Sequence, residues 1–245
     1  MILPKRIDMK KIFQKIADGF ARVVFPNVCA CCGRENTQQQ RQLCSFCLQD
    51  RFEDANPNND RVSSDSLLPE GIVLQHALWK FDKGGDLQHL MHQLKYERLT
   101  SIGVDLGRKL GQRLKAHPLA VELLDQQEAI VLPVPLHYLK FRYRGFNQAF
   151  KLAHGFREVW KDLPICDIDD VVRTKNTSSQ TGFSLDKRLE NMDNAFKVKN
   201  IEPIEGRTVI IIDDVFTTGS TTFELSNTVQ QAGAGPVMIL TIAQA

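Results

Sequence analysis

The chain has 245 residues, which is enough for one sizeable domain and a small appendage. Apolar residues make up 42% of it and charged residues 24%, as is ordinary for a soluble globular protein. A formal net charge of +2 excludes a strongly basic chain, so any surface that binds nucleic acid has to be local.

The amino-terminal 25 residues have the pattern of a basic amphipathic helix, with lysines opposite an apolar face. The apolar positions are Met9, Ile12, Phe13, Ile16, Phe20 and Val23. We expect this helix to pack on the protein's own core, while its charge pattern also permits peripheral contact with a membrane or binding to a partner. The lysines interrupt the apolar run, so we expect no signal peptide, and no stretch is long enough to span a membrane. The expected location is the cytoplasm.

Five of the six cysteines form a cluster between Cys29 and Cys47. Two Cys-x-x-Cys pairs, Cys29 with Cys32 and Cys44 with Cys47, are separated by 11 residues. Each pair directs two thiolates to one point, and together they supply the tetrahedral sulfur set that Zn²⁺ prefers. The clustering predicts a structural zinc site rather than a disulfide framework. Cys31 is a fifth thiol that could replace Cys29 or Cys32 as a ligand.

Residues 53–70 are rich in Asp, Asn, Ser and Pro. We expect them to link a zinc module, which with the amino-terminal helix covers residues 1–52, to a main domain that spans residues 71–245.

Strand and helix patterns alternate in the main domain. The predicted strands are Val73–Phe81, Glu128–Val134, Asp170–Arg173, Thr208–Ile212 and Pro236–Ile242. The predicted helices begin near Asp86, Ser101, Asn147, Ser184 and Thr221. This alternation predicts an α/β fold with a parallel sheet flanked by helices, and ligands of such sheets lie beyond the carboxyl ends of the strands.

A cluster of cations follows the predicted strand Glu128–Val134. From His137 to Arg157 there are five Lys or Arg and no acid. Such a cluster is more often a solvated face, but anions bind where a buried strand leads into a helix. Arg144, next to Gly145, is suited to bidentate binding of a diphosphate.

The segment from Arg173 to Ser184 has almost no apolar residues and is predicted to be a mobile loop. Arg173 and Lys175 would let it close over a phosphorylated ligand and exclude water. An ordinary surface loop explains these residues about equally well.

The strongest site signal begins at Val209. Val209–Ile212 predicts a strand buried on both faces, and Asp213 and Asp214 stand at its carboxyl end. A turn of small residues follows, Thr217-Thr218-Gly219-Ser220-Thr221, and leads into a helix. Backbone N–H groups of the turn and of the first helical turn converge on one point, which suits a phosphate. The carboxylates suit the hydroxyls of an attached sugar, or Mg²⁺, so the predicted ligand is a sugar phosphate with a metal ion.

This segment resembles the signature with which type I phosphoribosyltransferases bind 5-phosphoribosyl 1-diphosphate (PRPP). The resemblance implies that Asp213 and Asp214 face the ribose hydroxyls and that Thr217 to Thr221 hold the 5′-phosphate. Thr217 stands where relatives that salvage 6-oxopurines have an acid, which argues against that class of substrate.

Features along most of the chain resemble the ComF/GntX group of phosphoribosyltransferase-related proteins. They are the four-cysteine module, Leu94-Lys95-Tyr96, Pro133-Val134-Pro135, Arg144-Gly145-Phe146-Asn147-Gln148, Thr177 and Gln180 with Arg188 and Asn191, and the PRPP signature. The resemblance implies that Val134, Pro135, Leu136 and His137 form a diphosphate-binding loop and that Arg173–Gln180 is a flexible catalytic loop. The group is associated with natural competence, DNA uptake and the use of DNA as a nutrient.

Two functions follow from this resemblance. An enzyme would displace Mg-diphosphate from the ribose anomeric carbon, with Arg144, Lys175 and Mg²⁺ binding the diphosphate while Asp213 and Asp214 orient the ribose. The alternative is a non-catalytic module that binds PRPP or the 5′-phosphate of a DNA end and acts with helicase or recombination proteins of the DNA-uptake machinery. Single-stranded DNA would then contact the cations Lys140, Arg142 and Arg144 and stack on the interleaved aromatic residues Phe141, Tyr143 and Phe146.

Overall fold

The structure is a computed structural model that describes residues 27–38, 41–56, 68–176 and 194–245. The predicted amino-terminal helix, the predicted helix at Ser184 and the catalytic loop beyond residue 176 lie outside these ranges. Within them, the helices are α1 Ser45–Gln49, α2 Asp86–Tyr96, α3 Thr100–Lys115, α4 Pro118–Gln126, α5 Tyr138–Arg144, α6 Gln148–Arg157 and α7 Ser220–Gln231. The strands are β1 Ile72–Lys80, β2 Ala129–Pro133, β3 Val171–Arg173, β4 Phe196–Val198, β5 Thr208–Phe216 and β6 Val237–Gln244.

The central sheet has four parallel strands in the order β1-β6-β5-β2, which confirms the predicted α/β class. Side chains of β5 alternate between two cores. Ile210 and Ile212 pack in the cluster that contains α2, α3 and α6, whereas Val209 and Ile211 pack with Leu225 of α7. Because both faces of β5 are covered, the strand is apolar until the acids begin.

Strand β5 is longer than the sequence predicts. It was expected to end at Ile212, but the ladder with β6 continues through Asp213, Val215 and Phe216. Asp213 and Asp214 are therefore part of the strand rather than the residues that follow it. The short strand predicted at Asp170–Arg173 is β3, which pairs antiparallel with β4 outside the main sheet.

Glycines allow α3 and α6 to lie in close contact. A Cβ atom on Gly107 would lie 1.9 Å from the carbonyl oxygen of Leu152, and one on Gly155 would lie 1.9 Å from that of Val104. The two backbones therefore touch, which fixes α6 on the sheet. Residues at the start of α6 are consequently held in place relative to the ends of β2 and β5.

The cysteine module packs directly on the α/β domain. Leu43 and Cys47 belong to the same hydrophobic cluster as Leu106 and Leu110 of α3. Asp105 of α3 is only 2% exposed, and its carboxylate accepts hydrogen bonds from two backbone N–H groups of the module. Residues 53–55, in the predicted linker, form backbone hydrogen bonds with β1. The domain boundary itself stays a prediction.

Candidate functional site

An acid pair in β5 lies at the centre of the site. Asp214 is 5% exposed, and its carboxylate forms an ion pair with the ammonium group of Lys95 at the end of α2. Burial raises the pKa of Asp213 well above its ordinary value, and the charge of Asp214 raises it further. Burial also opposes ionisation of Asp214, but Lys95 outweighs it and holds the pKa of that carboxyl below its ordinary value.

Contacts around Asp214 connect three helices. The guanidinium of Arg144 in α5 lies over the Tyr96 ring of α2, with its Cζ 5.2 Å from the ring centroid. It also donates a hydrogen bond of 3.0 Å to Gln148 Oε1 at the start of α6. Gln148 in turn lowers the pKa of Asp214, whose carboxylate forms the ion pair with Lys95. This arrangement fixes the acid pair relative to Arg144.

The sequence Arg144-Gly145-Phe146-Asn147-Gln148 has a structural explanation. Gly145 ends α5 with a φ of 79°, a left-handed conformation that favours glycine. The side chain of Asn147 caps α6 by accepting from the N–H of Ala149 at 2.9 Å. Its amide group also donates to the carbonyl oxygen of Val134 at 3.0 Å. The motif therefore places Arg144 and Gln148 and ties α6 to the segment after β2.

The predicted diphosphate loop, residues 134–137, lies next to the acid pair. The N–H of Val134 donates to the carbonyl oxygen of Ile212, the residue before Asp213, at 2.9 Å. His137 caps α5, because its Nδ1 accepts from the N–H of Leu139 at 3.3 Å. Pro135 is buried and Leu136 is half-buried. The structure brings this loop and the acids together, while its binding of diphosphate stays a prediction.

The predicted phosphate cup, Thr217–Thr221, has the expected turn. Gly219 has a φ of 75° and precedes α7, whose first turn has no side-chain cap. Uncapped N–H groups at the start of a 12-residue helix favour an anion. Thr218 Oγ1 and Ser220 Oγ lie 2.7 Å apart in the same turn. This order of strand, acids, turn and helix is the one predicted from the sequence.

Four cations from three elements, α2, α5 and β3, lie near one another and near the acid pair. We call them the cation cluster: Lys95, Lys140, Arg144 and Arg173. Burial lowers the pKa of Lys140, and the charges of the other three cations lower it further. Burial also lowers the pKa of Arg173, against the attraction of Asp213. A concentration of positive charge of this kind favours a polyanionic ligand.

Some predicted and observed site residues differ. In the sequence, Lys95 and Gln148 are noted only as residues shared with the family and have no assigned role, although both interact with Asp214 in the structure. The sequence feature that could have indicated a role for Lys95 is its position directly after Leu94, the last buried residue of α2. Lys175 is exposed just beyond β3, and its catalytic role stays a prediction.

Four cysteine sulfur atoms form a second candidate site. The Sγ atoms of Cys29, Cys32, Cys44 and Cys47 all lie within 4.8 Å of one another, whereas Cys31 is not part of this group. Burial and the neighbouring thiols raise the pKa of Cys47 above its ordinary value. A divalent cation would offset this cost by replacing the protons, so the donor set fits a metal ion such as Zn²⁺. With four sulfur ligands, such a site has no open position for chemistry.

The described helices include none with the length and apolar character needed to cross a membrane.

The sheet, the acid pair with its glycine turn and the cysteine module together define a phosphoribosyltransferase-like α/β protein with a small four-cysteine module. No protein-family model matches the chain. It is 31% identical over 222 residues to the DNA utilization protein YhgH of Escherichia coli (strain K12), a match that covers 87% of this chain and 95% of the relative. It is 30% identical over 221 residues to Competence protein F of Haemophilus influenzae, covering 89% and 84%. The chain belongs to the ComF/GntX family.

Two solved structures show a partial similarity. One is the allosteric regulatory enzyme of purine biosynthesis, with 17% identity and a TM-score of 0.36. The other is the glutamine PRPP amidotransferase from B. subtilis in complex with ADP and GMP, with 18% identity and a TM-score of 0.35. The similarity covers 58% and 57% of this chain, but only 26% and 25% of those chains.

Proposed function

We propose that the protein binds PRPP, or a closely related phosphoribosyl ligand, and that it does so in the uptake or utilisation of DNA. One observation carries the ligand: the strand that holds the acid pair leads into an uncapped glycine turn, and Lys95 and Arg173 of the cation cluster interact with Asp214 and Asp213. PRPP has the same order of groups, with ribose hydroxyls between a monophosphate and a diphosphate. The names of the relatives, a DNA utilization protein and a competence protein, support the process.

In this proposal each part of the ligand contacts a different set of protein groups. The turn Thr217–Thr221 donates N–H and hydroxyl groups to the 5′-phosphate. Asp213 and Asp214 accept from the ribose hydroxyls. The loop after β2, together with Arg144, binds the diphosphate, where Mg²⁺ would neutralise further charge.

Catalysis would rest on electrostatics. The bond between the anomeric carbon and the diphosphate oxygen breaks, the acceptor's bond forms, and the cations stabilise the charge that develops on the leaving diphosphate. Thr217 carries no carboxylate that would assist a 6-oxopurine, so we expect a different acceptor. Lys175, two residues beyond β3, would approach the diphosphate from the loop.

Binding is tested by isothermal titration of PRPP in the presence of Mg²⁺. The variant Asp213→Asn/Asp214→Asn should raise the Kd at least about tenfold, because it removes two charge-assisted hydrogen bonds. Asp125→Asn, at an exposed position in α4, is the control and should bind like the wild type. An unchanged affinity in the double variant would remove the basis of the proposal.

Catalysis is tested separately, by diphosphate release from PRPP with nucleobases, ammonia and nucleotides as acceptors. Release that depends on one acceptor identifies a phosphoribosyltransferase. Tight binding of PRPP without release by any acceptor would favour the non-catalytic module.

A specific surface favours that module as a second candidate. None of the residues of α5 is buried, and Tyr143 is 77% exposed, Tyr138 57% and Phe141 39%. Arg142 lies over the Tyr138 ring, with its Cζ 5.7 Å from the ring centroid. Alternating aromatic and cationic side chains are suited to the bases and phosphates of single-stranded DNA.

We expect single-stranded DNA to bind α5 with an affinity that falls steeply as salt rises. Fluorescence anisotropy with a labelled oligonucleotide should show weaker binding for Tyr143→Ala, because stacking contributes about 1–3 kcal/mol per base. Binding that is independent of salt, or equal in the variant, would exclude this surface. Such a module would work with helicase or recombination proteins of DNA uptake.

A further inference from the structure

We propose that Lys95 is a specificity-determining residue of the phosphoribosyl site: its ammonium group binds the anomeric diphosphate, and the site thereby prefers PRPP to ribose 5-phosphate. This inference rests on the proposed function and assigns a ligand group to a residue that the sequence motifs leave without a role.

The position of Lys95 is fixed by its helix. Four apolar residues of α2 are buried in the core, and Lys95 follows the last of them, Leu94. Its side chain is 23% exposed and reaches the nearly buried carboxylate of Asp214. The next residue, Tyr96, lies under the guanidinium of Arg144. Lys95 therefore contacts the acid pair and lies near Arg144, which the proposed function assigns to the diphosphate.

The ion pair with Asp214 leaves donors for a ligand. An ammonium group has three N–H donors, and Asp214 takes one side of it. Burial opposes the charged form of Lys95, but the attraction of Asp214 outweighs it and raises the pKa above its ordinary value. The group is therefore a fixed positive charge on a side chain that is partly exposed. A buried ion pair is weak evidence for a purely stabilising role, since apolar residues of similar volume often serve as well.

The distribution of charge selects the diphosphate end of the ligand. Lys95, Lys140, Arg144 and Arg173 form the cation cluster, whereas the turn Thr217–Thr221 contains no cation and offers neutral donors. The diphosphate carries more negative charge than the 5′-phosphate. Coulombic attraction therefore favours the diphosphate at the cluster, where Lys95 forms an ion pair with Asp214.

The test compares two ligands that differ only in the group in question. Isothermal titration gives the Kd of PRPP and of ribose 5-phosphate, each with Mg²⁺, for the wild type, Lys95→Met and Lys95→Arg. The readout is the ratio of the two Kd values. Lys161→Met, at an exposed lysine outside the site, is the matched control.

We expect Lys95→Met to weaken PRPP binding about tenfold or more, as for the loss of a charge-assisted hydrogen bond, and to change ribose 5-phosphate binding by less than about threefold. Lys95→Arg should retain most of the preference, because it retains the charge. If Lys95 merely holds Asp214 in place, both ligands lose affinity equally in Lys95→Met, and the inference is wrong.

Two further outcomes are distinguishable. A wild type that binds neither ligand contradicts the proposed function, whereas a wild type that binds PRPP and keeps its preference in Lys95→Met contradicts only the role of Lys95. Loss of the preference in Lys95→Arg to the same extent as in Lys95→Met would show that shape rather than charge matters, and would also overturn the inference. Circular dichroism and the fitted stoichiometry report the folded fraction of each variant, so that misfolding is not mistaken for lost affinity.

Discussion

Replacing Asp105 by alanine should weaken the attachment of the cysteine module to the α/β domain. Asp105 Oδ2 accepts from the N–H groups of Gln42 at 2.7 Å and Leu43 at 3.1 Å, and Oδ1 pairs with Arg108 at 2.7 Å. A hydrogen bond to a charged group contributes about 1.5–3 kcal/mol, and breaking a buried ion pair from one side costs about 3–5 kcal/mol. One carboxylate makes all three contacts, so these contributions are not additive. Because Arg108 keeps Glu158 as a partner, we expect a loss of about 3 kcal/mol.

Urea unfolding of the zinc-loaded protein measures this loss. Asp105→Ala should lower the free energy of unfolding by about 3 kcal/mol. Asp105→Asn should lower it by about half as much, because an amide oxygen in the place of Oδ2 still accepts from both N–H groups but the charge that pairs with Arg108 is lost. Zinc should also pass faster to a chromophoric chelator, because the released backbone directly precedes Cys44. Asp125→Ala, at an exposed position, is the control and should change stability by less than about 0.5 kcal/mol.

The reasoning fails if Asp105→Ala is as stable as the Asp125→Ala control. The module would then be held by its apolar contacts alone. Unchanged stability together with faster zinc release would show that Asp105 influences only the metal site and not the attachment of the module.

Three further predictions concern single side chains. Gly107→Ala should lower the free energy of unfolding, measured in urea, by about 1–3 kcal/mol, because the new Cβ would lie 1.9 Å from the backbone oxygen of Leu152 and would push α3 and α6 apart. A variant as stable as wild type would contradict that packing. Gly219→Ala should lower the melting temperature, because its φ is 75° and the Cβ would lie 2.4 Å from the Phe223 ring; an unchanged melting temperature would show that the turn adapts. Burial lowers the pKa of His76 to about 4 in the folded protein, below the unfolded value, so the free energy of unfolding should fall as pH drops from about 6.5 towards 4, by about 2 kcal/mol at pH 5. In urea titrations at about pH 7 and 5, His76→Gln should lose this dependence on pH. An equal change of stability with pH in both proteins would refute the assignment to His76.

Local signals explain why the centre of the site could be predicted. Four β-branched residues in succession specify the start of β5, and a glycine between hydroxyl residues specifies the turn into α7. The end of β5 could not be predicted in this way, because pairing with Thr241 and Ala243 of β6 decides it, and both residues are distant in sequence. Local pattern describes the faces of one element but not the register between two.

The contact between Lys95 and Asp214 was missed for a related reason. The residues lie on different elements, and only the packing of α2 on the sheet brings them together. Helix α5 was interpreted as a cluster of charges because none of its residues is buried, so it has no apolar periodicity to detect. By contrast, the spacing of Cys29, Cys32, Cys44 and Cys47 predicted a group that the structure brings together.

The pairing of residues 53–55 with β1 has a consequence for any attempt to divide the protein. β1 and β2 are the outer strands of the sheet, and irregular chain covers both. The N–H of Lys80 in β1 donates to the carbonyl oxygen of Glu53 at 2.9 Å, and the N–H of Val131 in β2 donates to that of Pro164 at 2.9 Å. A shortened chain that began at residue 71 would lose the first of these covers and expose backbone groups that recruit strands from other molecules. We therefore expect a chain shortened in this way to aggregate more readily than one that keeps the segment after the cysteine module.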